Sequence, residues 1–257
     1  MRPKLAAIKV RGPHLNPVIR ADTLARSWTA GAPATGAPAA YLWTPDNPSC
    51  LTSIHTSMYA SIMARSSAQA RERLIEGTRQ LLWDRGYVGT SPTAILERSG
   101  VGQGSMYHHF DGKPALVLAA EERSAELMQA QIREVFTAEM SATEKISTYL
   151  LRERDVLRGC SVGRLTSDPE VMANDALRTP VRQTFAVLHG YLVEAIIEGR
   201  ASGEFDPGLD AHEVASTVAA VIQGGYALAR AEQSAEPFDQ AISGAIALLR
   251  ASSPLRG

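Results

Sequence analysis

The sequence predicts an all-α protein in which a small N-terminal three-helix unit of the helix-turn-helix type precedes a larger helical domain. Three observations carry this expectation. From residue 68 onward, apolar residues recur at the 3.6-residue period of amphipathic helices. Between Thr90 and Leu116, two short helix signatures flank a glycine turn. No period-2 alternation or hairpin signal interrupts the helical pattern further on.

The first helix of the unit is expected over about Ala68 to Gly86, where Leu74, Ile75, Thr78, Leu81 and Leu82 fall at i, i+1, i+4, i+7 and i+8. A short helix then fits Thr93 to Arg98. Ser91 stands as its N-cap, Pro92 occupies the first helical position where no amide donor is needed, and Ile95 and Leu96 face inward. Gly100 ends it. Gly100, Gly102 and Gly104 bracket Val101 and Gln103, so the backbone can turn sharply into a second short helix carrying Ser105 through Phe110. Helices this short do not fold alone and must share a core with the upstream helix.

A long helix follows Lys113, with Leu116, Leu118, Ala120, Leu127, Met128, Ile132, Val135 and Phe136 as an apolar face of about six turns. Further helices fit Thr143 to Leu157, Ala176 to Gly199, Asp210 to Glu232 and Pro237 to Ala251. The interval GRASGEFDPGLD is a glycine and proline stop before Asp210, the N-cap of the next helix. The domain boundaries so expected are 1–62 for an extension, 63–116 for the helix-turn-helix unit and 117–257 for the helical body.

Composition narrows the class. A chain of 257 residues with 45% hydrophobic content builds one or two domains with a full core. Cys50 and Cys160 are far apart and form no disulfide framework. The N-terminus has no continuous apolar h-region, and the apolar run Val214 to Ala229 is broken by Ser216, Thr217, Gln223, Gly224 and Gly225. A cytoplasmic location without membrane contact is expected. The net charge of −1 hides a split: residues 1–62 balance at +4, residues 63–116 at +2, and residues 117–257 at −7. DNA affinity must therefore come from the first half and fall steeply with salt. Residues 1–62, with their Gly, Ala and Pro run from Gly31 to Ala40, show no sustained period and are expected to be disordered or to precede the true start at Met58 or Met63. A translated tail could add non-specific DNA contact.

The residues that carry the helix-turn-helix reading also resemble the TetR family of bacterial transcriptional regulators, whose signature runs GVS-x-G-[ST]-[LI]-Y-x-[HY]-F and then x-x-K-x-x-L. Gly100, Val101, Gly104, Ser105, Met106, Tyr107, His109, Phe110, Lys113 and Leu116 stand in those places, after IEGTRQLLWDRGY from Ile75 to Tyr87. Gly102, Pro92 and Pro114 depart from the pattern. The resemblance implies a second short helix in the major groove, reading bases with its N-terminal end. Gln103 and Ser105, beside Gly104, are then the candidates for base contact, since an amide pairs in bidentate fashion with adenine. Tyr107, His108 and His109 would meet phosphate oxygens, Lys113 would supply a point charge, and Thr93 would approach the DNA at the start of the preceding helix. Phe110 reads as core. A metal pair at His108 and His109 is disfavoured because adjacent helical residues point apart.

The C-terminal half resembles the branch of that family with GC-x-x-G-x-L, here Gly159, Cys160, Gly163 and Leu165, and G-E-[LF], here Gly203, Glu204 and Phe205. By that resemblance the helices Ala176–Gly199 and Asp210–Glu232 would form a homodimer. Ala215, Ala219, Gly224, Gly225, Ala227 and Ala231 would allow close approach, and Val214, Val218, Val221 and Ile222 would give an apolar stripe. A dimer suits a palindromic operator with half-sites about 34 Å apart. A small-molecule effector would bind in the body and release the operator by moving the long helix. Cys160, Leu165, Met172, Phe185, His189 and Tyr226 are its candidate lining.

Two other readings belong beside ligand-controlled repression: Cys160 as a thiol sensor of electrophiles or oxidants, flanked by Arg158 and Arg164, and DNA binding without any ligand. An enzyme is not expected, since G-x-S-x-G, H-E-x-x-H, the P-loop and the dinucleotide fingerprint are all missing. No cofactor or metal is implied.

Overall fold

The computed structural model describes the backbone of residues 48–252 and the side chains of residues 63–252. Among the described residues there are nine α-helices and a 3-10 turn, with no strand: α1 (Pro48–Arg85), α2 (Pro92–Ser99), α3 (Gln103–His109), α4 (Lys113–Phe136), α5 (Ala142–Leu151), the 3-10 turn Gly163–Ser167, α6 (Pro169–Ala173), α7 (Asp175–Ala201), α8 (Ala211–Glu232) and α9 (Glu236–Ala251). The all-α class is as the sequence predicts. Helix α1 begins earlier than its periodicity suggests, at Pro48. The reading of the extension as disordered or as preceding the true start lies, for residues 1–47, outside the described residues.

Local chemistry sets most of the boundaries. The Ser91 hydroxyl accepts the Ala94 amide at 3.1 Å, Pro92 opens α2, and Gly100 closes it at φ 62°, a left-handed conformation that costs glycine little. Ser141 and Glu144 form a reciprocal capping box on α5, and Asn174 and Asp210 cap α7 and α8. The Glu204 carboxylate accepts the Ala142 and Thr143 amides at 3.2 and 2.9 Å, so the Gly-Glu-Phe turn caps a helix distant in sequence. Its neighbour Phe205 is fully buried.

Two expectations of the periodicity are corrected. The helix predicted over Thr143 to Leu157 ends at Leu151. There the Arg154 guanidinium donates to the carbonyls of Tyr149, Leu150 and Arg152, satisfying the terminal acceptors that a longer helix would have used. Leu127, assigned to the inner face of α4, is 46% exposed because it falls at the edge of a face formed by Val117, Ala120, Ser124, Ile132 and Phe136. The 3-10 turn and α6 have too few residues to show a period and were not anticipated from the sequence.

Two cores result. In the head, Leu74, Ile75 and Leu81 of α1, Ile95 of α2, Val101, Met106 of α3, Phe110 and Leu116 of α4 pack together. In the body, α4 lies along α7, α7 along α8 and α8 along α9, with α5 against α7 and α9. Leu82 and Tyr87, at the end of α1, belong to the body core.

Polar ties cross this junction. Asp168 accepts the amides of Tyr87 and Val88 through Oδ2, at 2.7 and 3.2 Å. Trp83 Nε1 donates to the Gly159 carbonyl at 2.8 Å, and Arg158 covers the Trp83 ring at 3.8 Å while pairing with Asp84 at 2.7 Å. Glu121 lies buried on α4, with neither carboxylate oxygen partnered among the described residues. Desolvation, with smaller repulsion from Asp168 and Glu122, pushes its pKa from 4.5 up to about 8.

This carboxyl makes the fold pH-sensitive. Its folded pKa lies above its unfolded value, so the folded state binds the proton more tightly and stability falls as pH rises from 4.5 to about 8. Replacing Glu121 by Gln should stabilise the protein by on the order of 3 kcal/mol at pH 8 and by little at pH 4.5, as measured by urea unfolding at the two pH values. An equal effect at both would show that charge burial is not the cause.

Candidate functional site

Helix α3 is held from beneath by Met106 and Phe110, both buried in the head core. The opposite surface is set by the helical repeat: Gln103, Gly104, Tyr107 and His108 are exposed, and Ser105 and His109 are half-buried at its flank. Tyr107 is 54% exposed, unusual for a large aromatic with no ring or hydrogen-bond partner among the described residues. A Cβ added at Gly104 would meet nothing within 4 Å, and its φ is not positive. Neither packing nor backbone conformation therefore requires glycine there. His109 Nε2 lies 3.5 Å from Ser67 Oγ, joining the end of α3 to α1. Thr93 is exposed in the first turn of α2.

Lys113 differs from its expected place. Its ammonium donates to the Tyr87 carbonyl at 2.8 Å and sits 3.8 Å from the Tyr87 ring centroid. Burial lowers its pKa, against the opposing pull of Glu170 and Asp168. The point charge expected to meet phosphate from the start of α4 is engaged within the chain, tying α4 to the loop after α1. Two exposed cations that the sequence reading missed stand on α1 beside the turn and α3. The Arg71 guanidinium lies 5.3 Å from the Phe110 ring centroid, and Arg73 Nη1 comes within 4.0 Å of the Cβ position at Gly100. Their signal was available, since Arg71 lies one helical turn before the apolar pair Leu74 and Ile75 and Arg73 directly precedes it.

In the body, Cys160 and Tyr226 line one cavity of about 160 Å³ with Trp83 of α1, Met128 and Gln131 of α4, and the segment Arg152–Asp155. Desolvation raises the Tyr226 hydroxyl to about 12, so it stays a neutral donor. The Cys160 sulfur accepts the Gly163 amide at 3.1 Å, and Leu165 is fully buried, which makes the Gly-Cys motif a packed turn. The other expected lining residues do not border this cavity. Leu165 is core, and Met172 and Phe185 are half-buried against the core. His189 lies at the α7–α8 surface, with Nε2 3.4 Å from the His212 carbonyl and its ring stacked on that of His212 at 5.5 Å. Trp83, Met128 and Gln131 were not identified from the sequence, because only the tertiary fold brings α1 and α4 beside Cys160.

The exposed small residues also redistribute. Ala215, Val218, Ile222 and Gly225 are buried within the subunit, while Ala220, Gly224, Ala227, Leu228 and Ala231 form the outer face of α8. Gly244, Ala247 and Leu248 continue an exposed face on α9. Among the described residues no helix is long and apolar enough to cross a membrane.

Residues 74–120 match the family model described as bacterial regulatory proteins, tetR family, and residues 140–245 match that of the tetracyclin repressor-like C-terminal domain. The HTH-type transcriptional repressor DhaR of Mycobacterium sp. (strain GP1) is 26% identical over 181 residues, which cover 69% of this chain and 90% of that protein. An uncharacterized HTH-type transcriptional regulator of Lactococcus lactis subsp. lactis is 26% identical over 131 residues, or 48% of this chain and 66% of the relative. The crystal structure of a TetR transcriptional regulator from Chloroflexus aurantiacus J-10-FL superposes with a TM-score of 0.65 at 25% identity, covering 74% of this chain and 98% of that one. A TetR-family regulator from Cytophaga hutchinsonii shares the fold with a TM-score of 0.66 at 23% identity, over the same shares of the two chains. The matched segments enclose both the helix-turn-helix head and most of the helical body, and this chain belongs to the TetR family of bacterial transcriptional regulators.

Proposed function

We propose that this regulator is a homodimeric repressor that leaves a palindromic operator when a small molecule enters its helical body. The exposed surface of α3, where Gln103, Tyr107 and His108 have no partner on another helix among the described residues, carries this reading. Gln103 and Ser105 read base edges, with Gly104 between them letting the helix backbone approach the groove. Tyr107, His108, His109 and Thr93 meet phosphates, joined by Arg71 and Arg73 from α1. Lys113 acts mainly by holding the start of α4 on Tyr87. DhaR is named a repressor, which favours repression here.

The dimer face is assigned to α8 and α9, because their outward small residues and the exposed Leu228 and Leu248 have no cover among the described residues. The effector is assigned to the cavity beside Cys160 and Tyr226. That cavity touches α1 through Trp83 and α4 through Met128 and Gln131, so an occupant bears on both helices that carry the head. The position of Cys160 in the same wall keeps thiol sensing as the second reading. Loss of quinone- or aldehyde-triggered operator release in Cys160→Ser would favour it, and unchanged release would end it.

Selection of bound sequences from random duplex DNA tests the first reading, an enriched palindrome being the expected result. On that sequence Gln103→Ala should cost ~1 to 3 kcal/mol and relax preference at one position of each half-site, with little change on random DNA. Equal losses on both DNAs would remove Gln103 from base reading. Leu228→Asp combined with Leu248→Asp should convert the dimer to monomer in analytical ultracentrifugation and weaken operator binding at least tenfold, by loss of the paired half-sites. A dimer that persists would place the interface elsewhere.

A further inference from the structure

A second concave site lies where the end of α1, the 3-10 turn and the last turn of α8 meet. Arg85, Gly86, Arg164, Ser167, Asp168 and Arg230 enclose a cavity of about 280 Å³ there. Each arginine comes from a different element of the fold. A cation in the last turn of a helix commonly caps terminal carbonyls, and a half-buried one commonly pairs with an acid. Arg85 and Arg230 stand in last turns, and Arg164 and Arg230 are half-buried. Yet among the described residues no carboxylate or carbonyl partner reaches any of the three guanidinia. The contrast with Arg154 and Arg158 is direct, since Arg154 donates through both Nη atoms to three carbonyls and Arg158 pairs with Asp84 and covers the Trp83 ring.

The single acid in the wall does not neutralise the cluster. Asp168 spends Oδ2 on the Tyr87 and Val88 amides, and its Oδ1 is buried without a partner. Three arginines lining one concavity gather like charge there, a repulsion that an entering anion relieves. The guanidinium fork matches phosphate oxygens in bidentate geometry, and Ser167 adds a hydroxyl donor at the rim. The cavity is separate from the one beside Cys160; Gly159 lines that one, and Arg230 Nη1 approaches to 3.5 Å of its Cβ position from the other side.

We propose that this cavity binds the phosphate group of a small-molecule ligand. Arg85 belongs to the helix that carries the head, while Arg164 and Arg230 belong to the body. A bound phosphate therefore ties head to body beside the Asp168 contact, and its occupancy sets how freely the head can reorient on DNA. That consequence rests on the regulator reading; the binding site does not.

Isothermal titration of the full chain with inorganic pyrophosphate, in low-chloride buffer, tests the site directly. The expected result is saturable binding at one site per subunit, weakened about tenfold or more by Arg164→Gln or by Arg230→Gln. Arg178→Gln, which removes a guanidinium paired with Asp175 on α7, should leave it unchanged. Thermal melts of each variant establish that the fold is retained. Absence of saturable heat, or equal affinity in all variants, would overturn the proposal. So would a lower salt slope on random duplex DNA in Arg164→Gln and Arg230→Gln without pyrophosphate binding, because the guanidinia would then serve the DNA backbone. No operator enters the calorimetry, so its failure leaves the repressor reading standing, and the reverse holds equally.

Discussion

Helix α4 must bury two faces at once, and the rest of the structure depends on that constraint. Leu116 closes the head core, while its neighbour Val117 and then Ala120, Ile132 and Phe136 belong to the body core. Cores are close-packed and resist gradual deformation, so a rigid helix shared by two of them transmits displacement instead of absorbing it. The head cannot tilt without disturbing the packing of α4 on α7, and the body cannot repack around α4 without moving the head. This coupling gives physical content to regulation in a chain whose helix-turn-helix and cavity-lining residues lie on different domains.

The polar ties at the junction limit how that coupling is used. Trp83 and Arg158 fasten the Cys160 segment to α1, and Asp168 fastens the end of the 3-10 turn to the start of the following loop. Each contact joins a body element of irregular backbone to the last turn of α1 or to the loop directly after it. Glu121 opposes them. A buried carboxyl without a partner destabilises the folded state, most of all when ionised. The junction therefore combines directional hydrogen bonds with a stored electrostatic cost.

The exposed surface of α3 was the more legible part of the sequence. Ser91, Pro92, Gly100 and the apolar positions Ile95, Met106 and Phe110 act through local rules of capping, left-handed backbone and helical period, and the folded chain keeps each in the role that its neighbours imply. Exposure of Gln103, Gly104, Tyr107 and His108 then follows from the burial of Met106 and Phe110 on a helix of two turns. Lys113 was not legible in the same way. Whether a lysine at a helix start meets solvent or a carbonyl depends on the approach of Tyr87, twenty-six positions away in the chain.

The sequence by itself determined the all-α class, the helix-turn-helix head, the caps of α2 and α8, and the family, because these rest on residues within a few positions of one another. Tertiary structure alone decided which face of α8 is internal, where α5 stops, and which residues share a cavity with Cys160. Val218 and Leu228 are equally apolar in composition, and only the packing of α8 between α7 and α9 makes one core and leaves the other exposed. Likewise Arg85, Arg164 and Arg230 are unrelated in sequence. Their convergence arises from long-range packing of helices, whose register no local propensity specifies.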